Sequence, residues 1–285
     1  MKVYNNIDMK GRLYNYALQT IDTDKGEAIS GNVTLEVDAD GTTVEIRYFG
    51  YPTYSSGKKN ATYGILDSMM AGNYKTVVDD GDDADWLACT GSIDVSYFVS
   101  QRDNDDDLAR SQKIRGAFIN QNKSKEYKNS WKLDFLITRI EDIDADEEKG
   151  YPRYLKVGGY LVDDYNKRVM QVQFQARKEG AINYISGLEA SAETPYYVST
   201  WGKMSRTTRQ ITRKNAFGED TVDEYATTSW TIEGMNPDPY DFGDDSAMTT
   251  EQYEALLTAL DEHKASIKDK DSGTQTGTAK KKFSF

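Results

Sequence analysis

NVTLEVDADGTTVEIRY, residues 32–48, decides how the rest of the chain is read. Val33, Leu35 and Val37 alternate with polar residues, and so do Val44, Ile46 and Tyr48. Successive side chains on a strand point to opposite faces, so each run has one apolar and one polar face. Between the runs, Asp38-Ala39-Asp40-Gly41 supplies a turn, with Gly41 free to take a positive φ. The stretch predicts a β-hairpin with one buried face and one solvated face.

Working outward, residues 12–18 (RLYNYAL) predict a strand before the hairpin, and residues 51–60 a loop rich in Tyr, Ser, Gly and Lys. Residues 61–70 have a short helical pattern that groups Ile65, Leu66 and Met69. Strands follow at 86–98, with Gly91 inside, and at 113–119, joined by the acidic loop 103–107. Three strands, one helix and two strands is the order of an OB-fold, a five-stranded Greek-key barrel with its helix between strands three and four. Residues 120–130 (NQNKSKEYKNS) are polar and aperiodic and read as a linker.

The order then recurs: strands at 131–143, 154–162 and 169–176, a turn at 163–166, a helix at 181–188, a strand at 196–204 with Gly202 placed like Gly91, and a last strand at 229–234. DADGTTVEIRYFG in the first half faces DDYNKRVMQVQFQ in the second. The fold class expected is therefore mainly β, two tandem OB-fold barrels, each with a short helix between strands three and four, plus a flexible C-terminal tail. The boundaries are 1–120 for the first barrel, 121–130 for the linker, 131–236 for the second barrel, and 237–285 for an acidic segment, a short helix and a disordered tail. The helix starts at Thr249 or Thr250 and reaches about His263, and disorder begins near Lys268. A single larger sandwich with inserted helices is the alternative.

The composition excludes several classes. The chain has 285 residues, one Cys, one His and 20 Tyr. One Cys cannot build a disulfide framework or a Cys-based zinc site, and one His argues against a Ser/His/Asp triad or a His-rich metal site. His263 reads as solvated in the tail helix, and Cys89 as a small buried hydrophobe. No run approaches the roughly 18 apolar residues of a membrane span, and no apolar signal core stands at the N-terminus, so a cytoplasmic protein with no membrane partner is expected. The acidic stretches 103–107 and 79–83 fail the calcium-loop pattern, since Leu108 and Ile114 stand where the first would need Gly and Glu. No phosphate-cradling Gly-rich loop follows a strand. No enzyme activity, metal or cofactor is expected.

The net charge of −12 argues at first sight against nucleic acid, but its distribution matters more. Residues 203–214 (KMSRTTRQITRK) hold Lys203, Arg206, Arg209, Arg213 and Lys214 with no acidic residue. They fall where an OB-fold places the loop between strands four and five, one of its two ligand-embracing loops. A solvated basic hairpin, or a contact with an acidic protein, is the other reading. In the first barrel Arg47, Tyr51, Tyr54, Lys58, Lys59, Lys113 and Arg115 form a thinner set. Alternation puts Ile114 and Phe118 on one face of their strand, with Lys113 and Arg115 on the other. Trp201 is either a stacking platform or a core residue. Cations along a groove with flat side chains between them suit single strands.

ADWLACTGSIDVSYF (residues 84–98) and RSQKIRGAFIN (residues 110–120) resemble segments of single-stranded DNA-binding proteins, in particular the two-OB-fold replication proteins of tailed bacteriophages. The resemblance implies sequence-tolerant single-stranded DNA binding in replication or recombination, with self-association on DNA. It also implies a tail that recruits replication or recombination proteins through Phe283 and Phe285. Here the acidic run precedes a Lys-rich end, a departure from that tail pattern. A phage origin would place the protein in the host cytoplasm. The rival expectation is a phage structural or assembly protein, a tail or capsid accessory component, with no nucleic-acid binding.

Overall fold

The computed structural model describes residues 4–99, 108–146, 152–163, 168–214, 217, 220–240 and 249–275. The chain opens with β1 (Asn5–Thr23), β2 (Gly26–Glu36) and β3 (Thr43–Gly50). The quoted hairpin forms in the register its apolar residues demand, Val33 opposite Ile46 and Leu35 opposite Val44, all four buried. Asp38 Oδ1 accepts from the backbone N–H groups of Asp40 and Thr42 at 3.1 and 2.9 Å, and Gly41 sits at φ 73°. Helix α1 (Ala61–Met70) starts at Asn60, whose side chain accepts from the Thr62 and Tyr63 N–H groups, and it buries Thr62, Leu66 and Met69.

After α2 (Val77–Asp80) come β4 (Trp86–Phe98) and β5 (Ala109–Gln121). β5 runs antiparallel to β4 and parallel to β3, and β1 pairs with both β2 and β4. The ring β1-β2-β3-β5-β4 thereby closes on itself, the strand order of an OB-fold.

The ring is built twice. β6 (Lys128–Ile143), β7 (Tyr154–Asp163), β8 (Arg168–Ala176), β9 (Tyr196–Lys214) and β10 (Asp220–Met235) form a second closed barrel in the corresponding order. Helix α3 (Glu179–Ser186) buries Ile182 and Ile185 at the corresponding point, and Gly187 caps it two residues short of the expected end. Ring closure replaces the single-sandwich alternative. Each barrel's fourth strand carries its glycine where a Cβ would run into a fifth-strand carbonyl, Arg115 O for Gly91 and Thr231 O for Gly202.

The two rings are joined through their first strands. Residues 7–10 of β1 pair with β4 on one edge and with β6 on the other. Ile7 pairs with Gly91, Trp131 pairs with Gly202, and Ile7 and Trp131 face each other across the seam. The two barrels thus meet about a local two-fold axis through one residue pair. Trp131 is 2% exposed and packs on Phe174 at 4.9 Å between ring centroids.

Three expectations need correction. The first predicted strand, 12–18, is only the middle of β1, which is shared between β4 and β2 and bends at a register shift between Leu13 and Asn15. The 121–130 linker is shorter than expected, because β5 runs to Gln121 and β6 starts at Lys128. Asn122 is buried, its N–H donates to Trp86 O at 2.8 Å, and Tyr127 donates to Glu36 Oε1 at 3.1 Å. The disorder placed from Lys268 does not begin there, because α4 (Thr250–Gln275) continues to Gln275. That helix buries Tyr253 and Leu260 and brings the His263 ring edge-on to Tyr97 of β4 at 6.2 Å. Phe283 and Phe285 lie outside the described residues.

Trp131→Ala removes the largest side chain at the seam and is expected to destabilise the chain by about 3–5 kcal/mol, read from urea denaturation. Because both barrels lean on this residue, the loss appears in one transition; two separated transitions would contradict the shared seam.

A pH dependence follows from Tyr48 and Cys89. Burial raises the Tyr48 hydroxyl well above its ordinary value and pushes the Cys89 thiol up to about 12. Both stay neutral in the folded chain where the unfolded chain already ionises, from about pH 8.5 for a thiol and about 10 for a phenol. Their stabilisation is whole below those values and is lost as pH rises towards 12. The urea midpoint should hold near neutrality and fall steadily through the alkaline range; a flat midpoint there would contradict this.

Candidate nucleic-acid interface

On β3 the buried residues Val44, Ile46 and Tyr48 leave Glu45, Arg47 and Phe49 facing out. The parallel β3–β5 register sets Ile46 beside Ile114 and Arg47 beside Arg115. Arg47, Lys113 and Arg115 therefore converge on a surface groove of about 300 Å³, which Phe49 and Asp94 also line. Phe49 is 54% exposed. Three cations and one carboxylate around an open aromatic give a locally positive channel on an acidic chain.

Phe118 is exposed against expectation. Its parity with Ile114 predicts burial, yet Ile114 is buried and Phe118 is 56% exposed. The cause is a register shift: Phe118 pairs with Thr90 and Gly116 with Gly91, which leaves Ala117 as an extra residue. One inserted residue turns every following side chain to the other face.

The loop after β3 extends the groove. Tyr51 meets Phe49 edge-on at 5.4 Å and shares a hydrogen bond with Thr23 Oγ1 at 3.0 Å. Tyr54, Lys58 and Lys59 are exposed, on a loop closed by the Tyr54 N–H donating to Lys58 O at 2.9 Å.

The second barrel departs most from the expectation. Residues 203–214 are no loop, because β9 continues to Lys214 and pairs along its length with β10 as a long two-stranded arm. The facing strand β10 carries Asp220, Asp223 and Glu224. The register sets Lys214 across from Asp220, Gln210 across from Glu224 and Ile211 across from Asp223. At the base of the arm, Arg206 Nη1 donates to Gly41 O at 2.9 Å and Thr228 Oγ1 donates to Thr43 O at 3.3 Å, so the arm leans on the β2–β3 turn of the first barrel. The side chains of Arg209, Arg213 and Lys214 lie outside the described residues. Trp201 is 40% exposed and lies over Gly234, where a Cβ would meet its ring at 2.7 Å. Trp201 and the exposed Lys203 are on β9, away from the groove of the first barrel.

A second cleft, of about 460 Å³, opens between the barrels and shares Arg47 and Lys113 with the groove. Thr34 and Glu45 line it from the first barrel, Met204 and Trp230 from the second. Sequence reading missed Phe49, Phe118 and Trp230 as site candidates. Phe49 alone carried a visible signal, its shared parity with Arg47. Cys89 is buried in the first core with its thiol held neutral, so it offers no nucleophile.

No curated protein matches the chain. Among solved structures, the wild-type single-stranded DNA binding protein from Thermus aquaticus aligns at 13% identity and a TM-score of 0.48, over 87% of this chain and 98% of that one. A deletion mutant of the same Thermus aquaticus protein aligns at 12% identity and 0.48, over 86% and 99%. A replication protein A heterotrimer bound to ssDNA aligns at 13% identity and 0.22, over 92% of this chain and 53% of that one. Residues 3–272 match the YorF family along nearly the whole sequence, and the chain belongs to that family.

Proposed function

We propose that the protein binds single-stranded DNA, with little dependence on sequence, along the outer face of the first barrel. The observation that carries this is the convergence of Arg47, Lys113 and Arg115 beside the exposed ring of Phe49. Strands two and three of an OB barrel form its oligonucleotide-binding face, and β2 and β3 occupy that position here. Cations along the groove neutralise backbone phosphates, while flat side chains stack on unpaired nucleobases whatever their identity. The loop bearing Tyr54, Lys58 and Lys59 lengthens this track, and Trp201 with Lys203 supplies a further patch on the second barrel. Covering single strands exposed in replication or recombination is the role that fits such binding. The acidic remainder of the chain repels duplex DNA approaching elsewhere.

A labelled oligo-dT in a fluorescence-anisotropy titration tests the reading. Wild-type affinity should fall steeply with salt. Arg47→Ala with Arg115→Ala should weaken binding and reduce the salt slope by about 1.4, the expectation for two lost phosphate contacts on a single strand. Undiminished affinity and slope in that double variant would remove the groove from the interface.

Phe49→Ala separates stacking from charge. It should weaken oligo-dT binding by about 1–3 kcal/mol and leave the salt slope intact. The arm pair Arg206→Ala, Arg209→Ala should also weaken binding and flatten the slope, but less than the groove pair, because Arg206 is already engaged with Gly41 O. An arm effect larger than the groove effect would reverse that order.

A further inference from the structure

The cleft between the barrels has the size and chemistry of a small-molecule site, as well as being a continuation of the groove. Its volume of about 460 Å³ lies within the usual range for ligand pockets, roughly 300–1,000 Å³. One wall is Trp230, whose ring is braced at 6.5 Å from Trp131 and at 6.2 Å from Phe174, so it is a rigid aromatic surface. Gln112 contributes a donor with a fixed direction. Its Oε1 accepts from the Gln173 N–H at 3.0 Å, which orients the amide, and its Nε2 is buried with no hydrogen-bond partner among the described residues. A buried donor left unpaired is unfavourable, and a ligand carbonyl would satisfy it. Glu45 adds an acceptor, and Arg47 and Lys113 stand where the cleft meets the groove.

We infer that this cleft takes one nucleobase of the bound strand, a thymine or uracil-type ring. The ring lies against Trp230, a carbonyl accepts from Gln112 Nε2, the ring N–H donates to Glu45, and the attached phosphate rests on Arg47 and Lys113. The inference rests on the single-strand reading above but adds to it a discrete pocket for one nucleotide. Such a pocket favours thymine or uracil over cytosine and adenine, whose corresponding ring nitrogens carry no hydrogen for Glu45; guanine offers a like carbonyl and N–H but on a larger ring system.

The test uses the full chain and two ligands, thymidine 5′-monophosphate and labelled oligo-dT. Gln112→Glu keeps the acceptor for Gln173 and replaces the free donor by an oxygen. Thr34→Phe fills the cleft from the outer face of β2. Calorimetric titration of the wild type with the mononucleotide should give saturable one-to-one binding. Each variant should lose roughly tenfold or more of that affinity, while oligo-dT binding drops in both and keeps its salt slope in the uncharged Thr34→Phe variant. Circular dichroism checks that both variants fold; if Thr34→Phe does not, Gln112→Glu carries the test. Mononucleotide binding that survives both changes overturns the cleft assignment. Oligo-dT binding by a wild type that ignores the mononucleotide overturns it too, and leaves the single-strand reading standing. Mononucleotide binding without oligo-dT binding keeps the pocket and removes the single-strand reading.

Discussion

The antiparallel pairing of β1 with β6 is the constraint on which everything else depends. It sets Ile7 against Trp131 and so fixes the two barrels about a local axis. The positions are equivalent beyond the seam itself: seven residues after Ile7, β1 skips Tyr14, and seven residues after Trp131, β6 skips Thr138. Both skips bend a long first strand from one pairing partner to the next. The interface is self-complementary in the manner of a symmetric dimer, yet it lies within one chain.

That axis brings each barrel's open side against its neighbour. β8 meets β10 only at Gln175 and Thr231, so its edge is otherwise open to partners from outside the ring. The first barrel supplies them: the Gln171 N–H donates to the Tyr97 hydroxyl at 2.8 Å and the Gln173 N–H to Gln112 Oε1 at 3.0 Å. β3 meets β5 only at Ile46–Ile114 and Arg47–Arg115, and the second barrel returns the arrangement through Thr228 and Arg206. The exchange is not equal. The outer face of β8 is engaged by the first barrel, whereas the outer face of β3 keeps its groove. Duplication has left the two halves alike in topology and different in what they expose.

The architecture was legible because barrels of this kind need strict alternation, and Val33 to Val37 and Val44 to Tyr48 supply it on both sides of one turn. The repeat was legible as element order, since Gly91 and Gly202 hold places only glycine can hold. The site was less so. Arg47 is far in sequence from Lys113 and Arg115, and only the parallel β3–β5 contact brings them together. Phe118 was misjudged because the extra Ala117 leaves no mark in a period-two pattern. The basic run 203–214 was read as a loop because its Arg, Lys and Thr residues show no apolar alternation in sequence. Its acidic partner strand, Asp220 to Glu224, is adjacent only once the register is known. The length of α4 was hidden for a similar reason: its polar second half reads as disorder when its contact with Tyr97 is not in view.

The double pairing of β1 also has a consequence for how the chain is made. Residues 7–10 are an interior strand in the finished molecule, but the second of their two neighbours begins at Lys128. Until that segment has been synthesised, the completed first ring carries a row of unsatisfied backbone donors and acceptors along β1. An open strand edge of that kind is a template for any chain that can lie beside it, including another nascent copy. The second barrel therefore acts as an intramolecular cap, protecting the first from pairing with its own kind.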